Sequence, residues 1–286
     1  MWRRDDYPWE RNVWNYHPEV EIHRITNATG LAFIGDYIGE FQPGHLAVVG
    51  GGLPHDWVTT VAPGQRIEGR DVVLQFDPAR LQHIRHVVPE LGTLDDFLDR
   101  IKRGLVFTGE TAKTAGDLLD RLGALRGLAR LIGFLELLGL MAKATDFMLL
   151  SSADFAPKYD TASLSILHSA LQYIALNYSR ELAQEEVADH LGMTESQFSR
   201  FFKKNTGNTY SDYLTALRLN RACQLLADRN LSITDICFRA GYSNISNFNR
   251  RFREHYNMTP SDYRRLSEAR QRLEADRGHQ LKVSQH

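Results

Sequence analysis

A block of about 50 residues that occurs twice near the C-terminus constrains this chain more than any other feature. Val187-Ala-Asp-His-Leu-Gly-Met-Thr194 is answered by Ile236-Cys-Phe-Arg-Ala-Gly-Tyr-Ser243. Phe198-Ser-Arg-Phe-Phe-Lys203 is answered by Phe248-Asn-Arg-Arg-Phe-Arg253, and Thr209-Tyr-Ser-Asp-Tyr213 by Thr259-Pro-Ser-Asp-Tyr263. One extra residue in the second turn region accounts for the change in register. Gly192 and Gly241 stand where a short helix must stop and the chain must turn through a left-handed conformation. Thr194 and Ser243 suit the N-cap of the helix that follows, and Thr194 with Gln197 makes a capping-box pairing. Ser232 with Asp235 makes another at the start of the second unit. Ala183, at the equivalent place in the first unit, has no side chain that caps.

Phe198 with Phe202, and Phe248 with Phe252, lie four residues apart and mark a buried helical face. The opposite face is polar in both copies. A short helix, a sharp turn and a second helix with a polar, basic outer face describe a helix-turn-helix, whose second helix enters the DNA major groove. Arg pairs bidentately with guanine and Asn with adenine, whereas Lys and peripheral Arg neutralise phosphates.

Charge agrees in sign. The net charge of the 286-residue chain is -1, yet residues 164–266 hold 13 Lys/Arg against 10 Asp/Glu. The two cysteines, Cys223 and Cys237, have no metal-binding spacing and read as buried free thiols. The opening Met1-Trp2-Arg3-Arg4-Asp5-Asp6 lacks an apolar signal segment. The most apolar stretch, residues 125–142, is interrupted by Arg126, Arg130 and Glu136, which argues against a membrane span. A cytoplasmic protein with no membrane partner is expected.

The rest of the chain divides by period. Short apolar runs at 31–34, 46–49 and 72–76, separated by Pro and Gly turns, predict β-structure in a small sandwich or barrel over residues 1–92. Residues 93–150 read as two or three Leu-rich helices, either packed on the β-domain or forming a dimer interface. Residues 151–162 read as a linker, 163–266 as the helical DNA-binding domain and 267–286 as a frayed polar tail. The expected class is α+β. The chain has no nucleophile elbow or paired-carboxylate motif. Gly50-Gly51-Gly52 lacks the Lys of a phosphate loop, so an enzyme is not expected.

From about residue 163 to 265 the sequence closely resembles the AraC/XylS family of bacterial transcription activators. Ser199-Arg-Phe-Phe-Lys-Lys204, Thr206-Gly207, Arg218, Ile236, Gly241-Tyr242, Phe248 to Arg253 and Thr259-Pro260 carry the resemblance. It implies seven helices, with one from about 211 to 227 joining the two units, and recognition helices near 194–204 and 243–255. Position by position, it offers Ser196, Ser199 and Arg200 to DNA from the first unit, and Ser246, Asn247, Asn249 and Arg250 from the second. By their own chemistry and place on the helices, Lys203, Lys204, Arg251 and Arg253 are better placed for phosphates.

The N-terminal region is similar to the cupin-type β-barrel sensor of such regulators, through Phe41-Gln-Pro-Gly-His-Leu-Ala-Val-Val49 and Leu53-Pro-His-Asp-Trp57. Asn15-Tyr-His17 and Glu21 resemble the first cupin motif, with Asn15 in place of its leading His. His17, Glu21 and His55 therefore fall one short of the usual metal-ligand set, and neither a metal nor another cofactor is expected. These three residues and Trp57 are expected to line an effector pocket or to close the barrel mouth. The resemblance implies a homodimer that binds double-stranded DNA, senses a small molecule such as a sugar or related metabolite, and acts on RNA polymerase. The alternative is a metal-dependent cupin enzyme fused to a DNA-binding module.

Overall fold

The computed structural model describes residues 1–8, 15–59, 61, 64–155 and 161–266. The expected frayed tail and part of the expected linker lie outside these residues. The chain divides into two compact units, one built on Met1–His168 and the other on Ser169–Phe201 with the segment from Thr209 onward; residues 202–208 group with the first.

The first unit contains strands β1 (Trp2–Tyr7), β2 (Val20–Ile25), β3 (Gly30–Ile34), β4 (Tyr37–Phe41), β5 (Leu46–Val49), β6 (His55–Val58) and β7 (Ile67–Phe76). Helices α1 (Pro78–Ile84) and α2 (Asp95–Arg100) follow, then β8 (Leu105–Phe107), α3 (Gly109–Leu122), α4 (Gly127–Lys143) and β9 (Phe147–Leu149). The strands form two antiparallel sheets, of order β1-β7-β2-β5-β8-β9 and β4-β3-β6. The two are hydrogen-bonded as separate sheets among the described residues. The stretch expected to be wholly helical supplies two of the nine strands among the described residues. Leu105-Val-Phe107 pairs with β5 on one edge and β9 on the other. Three-residue strands carry too little alternation to be told from helix by period alone.

Both faces of the large sheet are buried, and the alternation of side chains decides what each covers. Val20, Ile22, Leu46, Val48, Val72 and Leu74 point outward into a core completed by α2, α3 and α4. Ile25, Ala47 and Val49 point the other way and meet Ala32, Ile34, Phe41 and Trp57 of the small sheet. α4 has two characters. Leu137, Leu138 and Met141 are buried, while Leu128, Leu131 and Ile132 are 71%, 51% and 58% exposed.

The second region is helical: α5 (Thr161–Asn177), α6 (Gln184–His190), α7 (Glu195–Thr206), α8 (Tyr210–Leu226), α9 (Ile233–Arg239) and α10 (Ile245–Tyr256). A seventh helical segment runs from 260 to 266, where the described residues end. Seventeen residues at about 1.5 Å each make α8 a strut of about 25 Å between the repeated units. Among the described residues, no helix is long and apolar enough to cross a membrane.

Candidate nucleic-acid interface and a buried polar cluster

The repeat seen in the sequence is repeated in the backbone. After α6, Gly192 adopts φ 67°, and after α9, Gly241 adopts φ 90°. At the first turn Met193 N–H donates to the Ala188 carbonyl at 2.9 Å, and Gly192 N–H to that of Asp189 at 3.0 Å. At the second, Tyr242 N–H donates to the Cys237 carbonyl at 3.1 Å, and Gly241 N–H to that of Phe238 at 3.0 Å. This paired pattern is a Schellman stop, which satisfies the last carbonyls of a helix and turns the chain in two residues. Both short first helices therefore hand the chain to the next helix in the same way.

The entry to each recognition helix is capped, by different means. Thr194 and Gln197 exchange bonds as the sequence suggests: Gln197 N–H donates to Thr194 Oγ1 at 3.3 Å, and Thr194 N–H to Gln197 Oε1 at 2.9 Å. In the second unit the cap is Asn244, not the expected Ser243. Asn244 Oδ1 accepts from the backbone N–H of Ser246 at 2.8 Å and Asn247 at 3.1 Å. The extra residue in the second turn moves the helix start on by one. Ser232 and Asp235 form the expected box at the start of α9, and Ala183 gives α6 no side-chain cap.

Phe198, Phe202, Phe248 and Phe252 are fully buried. The second pair packs with Leu219, Leu226, Ile236 and Tyr242. Anchoring one face at i and i+4 turns the opposite face outward. Ser196, Ser199, Arg200, Lys203 and Lys204 on α7 are all exposed, as are Ser246, Asn247, Asn249, Arg250 and Arg253 on α10. Arg250 is held between Asn247 Oδ1 at 2.9 Å and Glu254 Oε1 at 2.8 Å. Arg200 has a longer bond, 3.4 Å to the Ser196 carbonyl. Cys237 is buried, whereas Cys223 is half-buried, less enclosed than its apolar position suggests.

In the first unit, Glu21, His55 and Trp57 are buried and His17 is half-buried. His17, Glu21 and His55 converge: one donor atom from each lies within 4.8 Å of the other two. Three partners that the sequence reading missed surround them. His23 lies between two carboxylates, with Nδ1 2.8 Å from Glu21 Oε1 and Nε2 2.8 Å from Asp71 Oδ1, and its ring stacks on Trp57 at 3.8 Å. Gln75 Nε2 donates to Glu21 Oε2 at 2.8 Å. Burial opposes a charge on His23, but its bonds to Asp71 and Glu21 outweigh that and hold its pKa above the ordinary value. Burial likewise opposes ionisation of Glu21, and its bonds with His17 and His23 hold it well below the usual carboxylate range. The signal for His23 was present in the sequence: it lies two residues from Glu21, on the same inward face of β2.

Two repeated helix-turn-helix units joined by a strut define the class of the second region, a DNA-binding domain. Residues 187–276 match a family model described as a helix-turn-helix domain. Over 110 residues the chain is 34% identical to the lactose operon transcription activator of Staphylococcus xylosus, covering 38% of this chain and 39% of that protein. Over 100 residues it is 35% identical to the melibiose operon regulatory protein of Escherichia coli K12, covering 35% and 33%. A transcriptional regulator of AraC type from Chromobacterium violaceum is similar at 33% identity and a TM-score of 0.34, covering 37% of this chain and 94% of that one. The matches to the two curated relatives thus span well under half of their lengths. The C-terminal region of this chain thus carries a helix-turn-helix domain similar to those of these operon regulators.

Proposed function

We propose that the protein is an effector-responsive, sequence-specific regulator of transcription, acting as an activator of metabolic genes. The observation that carries this reading is the pair of Schellman turns, each delivering a helix with buried Phe anchors and an exposed basic, amide-bearing ridge. Ser196, Ser199, Arg200, Asn247, Asn249, Arg250 and Ser246 are assigned to base edges and nearby phosphates, and Lys203, Lys204 and Arg253 to phosphates. The AraC-type relatives are named for lactose and melibiose operons, which supports a gene set linked to sugars or related metabolites.

In this proposal residues 1–92 form a cupin-like sensor, 93–150 a packing and dimerisation segment, 151–162 a linker and 163–266 the DNA-binding domain. The two antiparallel sheets with polar side chains between them support the cupin likeness. His17, Glu21, His55 and Trp57 are the sensing residues. A second copy of the chain covers the Leu128, Leu131 and Ile132 stripe of α4, and DNA-bound dimers engage RNA polymerase in the cytoplasm. Sensing of this kind requires the effector to bind the two states of the protein with different affinity.

The test is capture of genomic fragments by the purified full chain in the presence of bulk competitor DNA, with sequencing of what is retained. Enrichment of a few promoter fragments is expected. Retention that tracks fragment length alone would sink the reading.

A further inference from the structure

The two recognition helices share their Phe anchors and differ in what surrounds the central arginine. Counted from Phe198 and Phe248, Arg200 matches Arg250, Gln197 matches Asn247 and Lys204 matches Glu254. In α7 neither flanking side chain offers Arg200 an acceptor. Gln197 Oε1 is engaged by the cap, accepting from Thr194 N–H at 2.9 Å and from Thr194 Oγ1 at 3.1 Å. Lys204 has only donors. Arg200 is left with the 3.4 Å bond to the Ser196 carbonyl of its own helix.

In α10 both flanking positions hold acceptors, and both are used. Arg250 Nη2 donates to Asn247 Oδ1 at 2.9 Å, and Nη1 donates to Glu254 Oε1 at 2.8 Å. The caps explain why Asn247 is available. Asn244 Oδ1 satisfies two backbone N–H groups by itself, so Asn247 has none of the capping duty that occupies Gln197. The grip on Arg250 bears on how a base is read. Asn247 bonds adenine bidentately only with Oδ1 and Nδ2 both turned to the base, and here its Oδ1 faces a guanidinium. Arg250 keeps enough N–H donors beyond these two bonds for the O6 and N7 of one guanine. An arginine already held at both ends loses less rotamer freedom on meeting a base edge than a free one. The side chains of Arg250 and Glu254 are 55% and 51% exposed, so in water their pairing adds little to stability. Where a duplex displaces that water, the same bonds strengthen.

We propose that Asn247 and Glu254 are positioning residues that preset the Arg250 guanidinium for one guanine, while Arg200 of α7 reads without such support. Asn247 then acts on sequence through Arg250 and not on an adenine of its own. Glu254 is a carboxylate on a ridge that phosphates attract through its cations, and it lowers affinity for every duplex alike. Its place there follows from holding Arg250, with Arg251 Nη1 on its other oxygen at 3.4 Å. This inference rests on the DNA-binding reading above and narrows the part given there to Asn247.

The experiment selects duplexes from a randomised library with the purified full chain and with its Arg250→Ala, Asn247→Ala, Asn247→Asp and Glu254→Ala variants. Preference at each base pair is read by sequencing. The natural chain is expected to enrich a motif, and Arg250→Ala to erase the preference at one guanine of it. Asn247→Ala and Glu254→Ala are expected to cut preference at that same guanine by about threefold or more, with other positions changed less than about twofold. Asn247→Asp keeps an oxygen for Arg250 but lacks the amide donor that adenine needs, so it is expected to retain the guanine preference. Glu254→Ala is expected to bind random duplex more tightly while discriminating less, a combination that a merely structural role would not produce. An Arg250→Ala variant that alters no guanine would overturn the proposal. So would lost preference at an adenine in both Asn247 variants, or at a cytosine in Glu254→Ala, since those outcomes make the two residues direct readers. A motif enriched equally by the natural chain and the Asn247 and Glu254 variants defeats only this inference, whereas a natural chain that enriches no motif defeats the regulator reading with it.

Discussion

At the scale of single residues, the two turn glycines differ in a way the repeat conceals. Each has positive φ, which costs an L-residue roughly 1–2 kcal/mol. At Gly192 an added Cβ meets open space, but at Gly241 it would lie 2.3 Å from the Tyr178 carbonyl oxygen and 3.0 Å from Arg218 Nε. Gly192→Ala should therefore lose about 1–2 kcal/mol, and Gly241→Ala clearly more, in chemical denaturation of the full chain. Equal losses would contradict the close approach. For DNA reading, Arg250→Ala and Arg200→Ala should each reduce discrimination between the best operator and its single-base variants by about tenfold or more. Lys204→Ala should lower affinity for all duplexes alike and reduce the salt slope by about one. Competition gel shifts at several salt concentrations separate the two behaviours.

His45 provides a test in pH. Burial pulls its imidazole down to about 4 from an ordinary value of 6.5, and its Nε2 has no hydrogen-bond partner. Above pH 6.5 the group is neutral in folded and unfolded chains and costs nothing. As the pH falls from 6.5 towards 4, only the unfolded chain takes up the proton, so stability is lost through that window. The loss from this group approaches about tenfold in the folding equilibrium per pH unit. Urea midpoints at pH 7.5, 6 and 5 should decline more steeply in the natural chain than in His45→Gln.

At the scale of elements, the helix starts rank by their caps. Ser232 and Asp235 bond reciprocally at the head of α9, whereas Ala183 leaves the first N–H groups of α6 without a side-chain acceptor. Ser232→Ala should cost about 1 kcal/mol, and Ala183→Ser should add about 0.5–1 kcal/mol, since residue 183 already has the extended backbone of an N-cap. Thermal midpoints of the two variants should move in opposite directions. The ends of the first unit's elements were harder to foresee. β8 and β9 have three residues each and join the sheet only because β5 offers a free edge beside them. Ser243 yields its capping place to Asn244 because the second turn is one residue longer, a shift visible in the repeat only as a slip in register.

At the scale of the whole molecule, α4 is the element whose burial is unfinished. Its inner face closes the core, and Leu128, Leu131 and Ile132 remain outside it. In the proposed dimer that stripe is covered by a second chain. Replacing Leu131 and Ile132 together with Glu removes apolar area from an exposed surface, so the fold should survive while association is lost. Sedimentation should then show a shift from dimer to monomer with unchanged circular dichroism. A natural chain that is already monomeric at high concentration would rule out this use of the stripe.

What the amino-acid sequence settled unaided is, apart from the Asn244 cap, what depends on neighbours three or four residues away. The stop glycines, the Thr194–Gln197 and Ser232–Asp235 boxes, the Phe pairs and the exposed ridge opposite them are relations within one or two helical turns, and the glycines, Phe pairs and ridge are repeated, so one copy checks the other. The DNA-binding half was therefore legible. Only the tertiary structure decided which Leu faces of α4 are covered, that β8 and β9 complete a sheet, and that His23, Asp71 and Gln75 crowd around His17, Glu21 and His55. Those outcomes come from pairings between residues 46 to 61 positions apart, as β2 with β7 and β5 with β8. No local period encodes such pairings, because the free energy that selects them arises only when both distant partners are buried together.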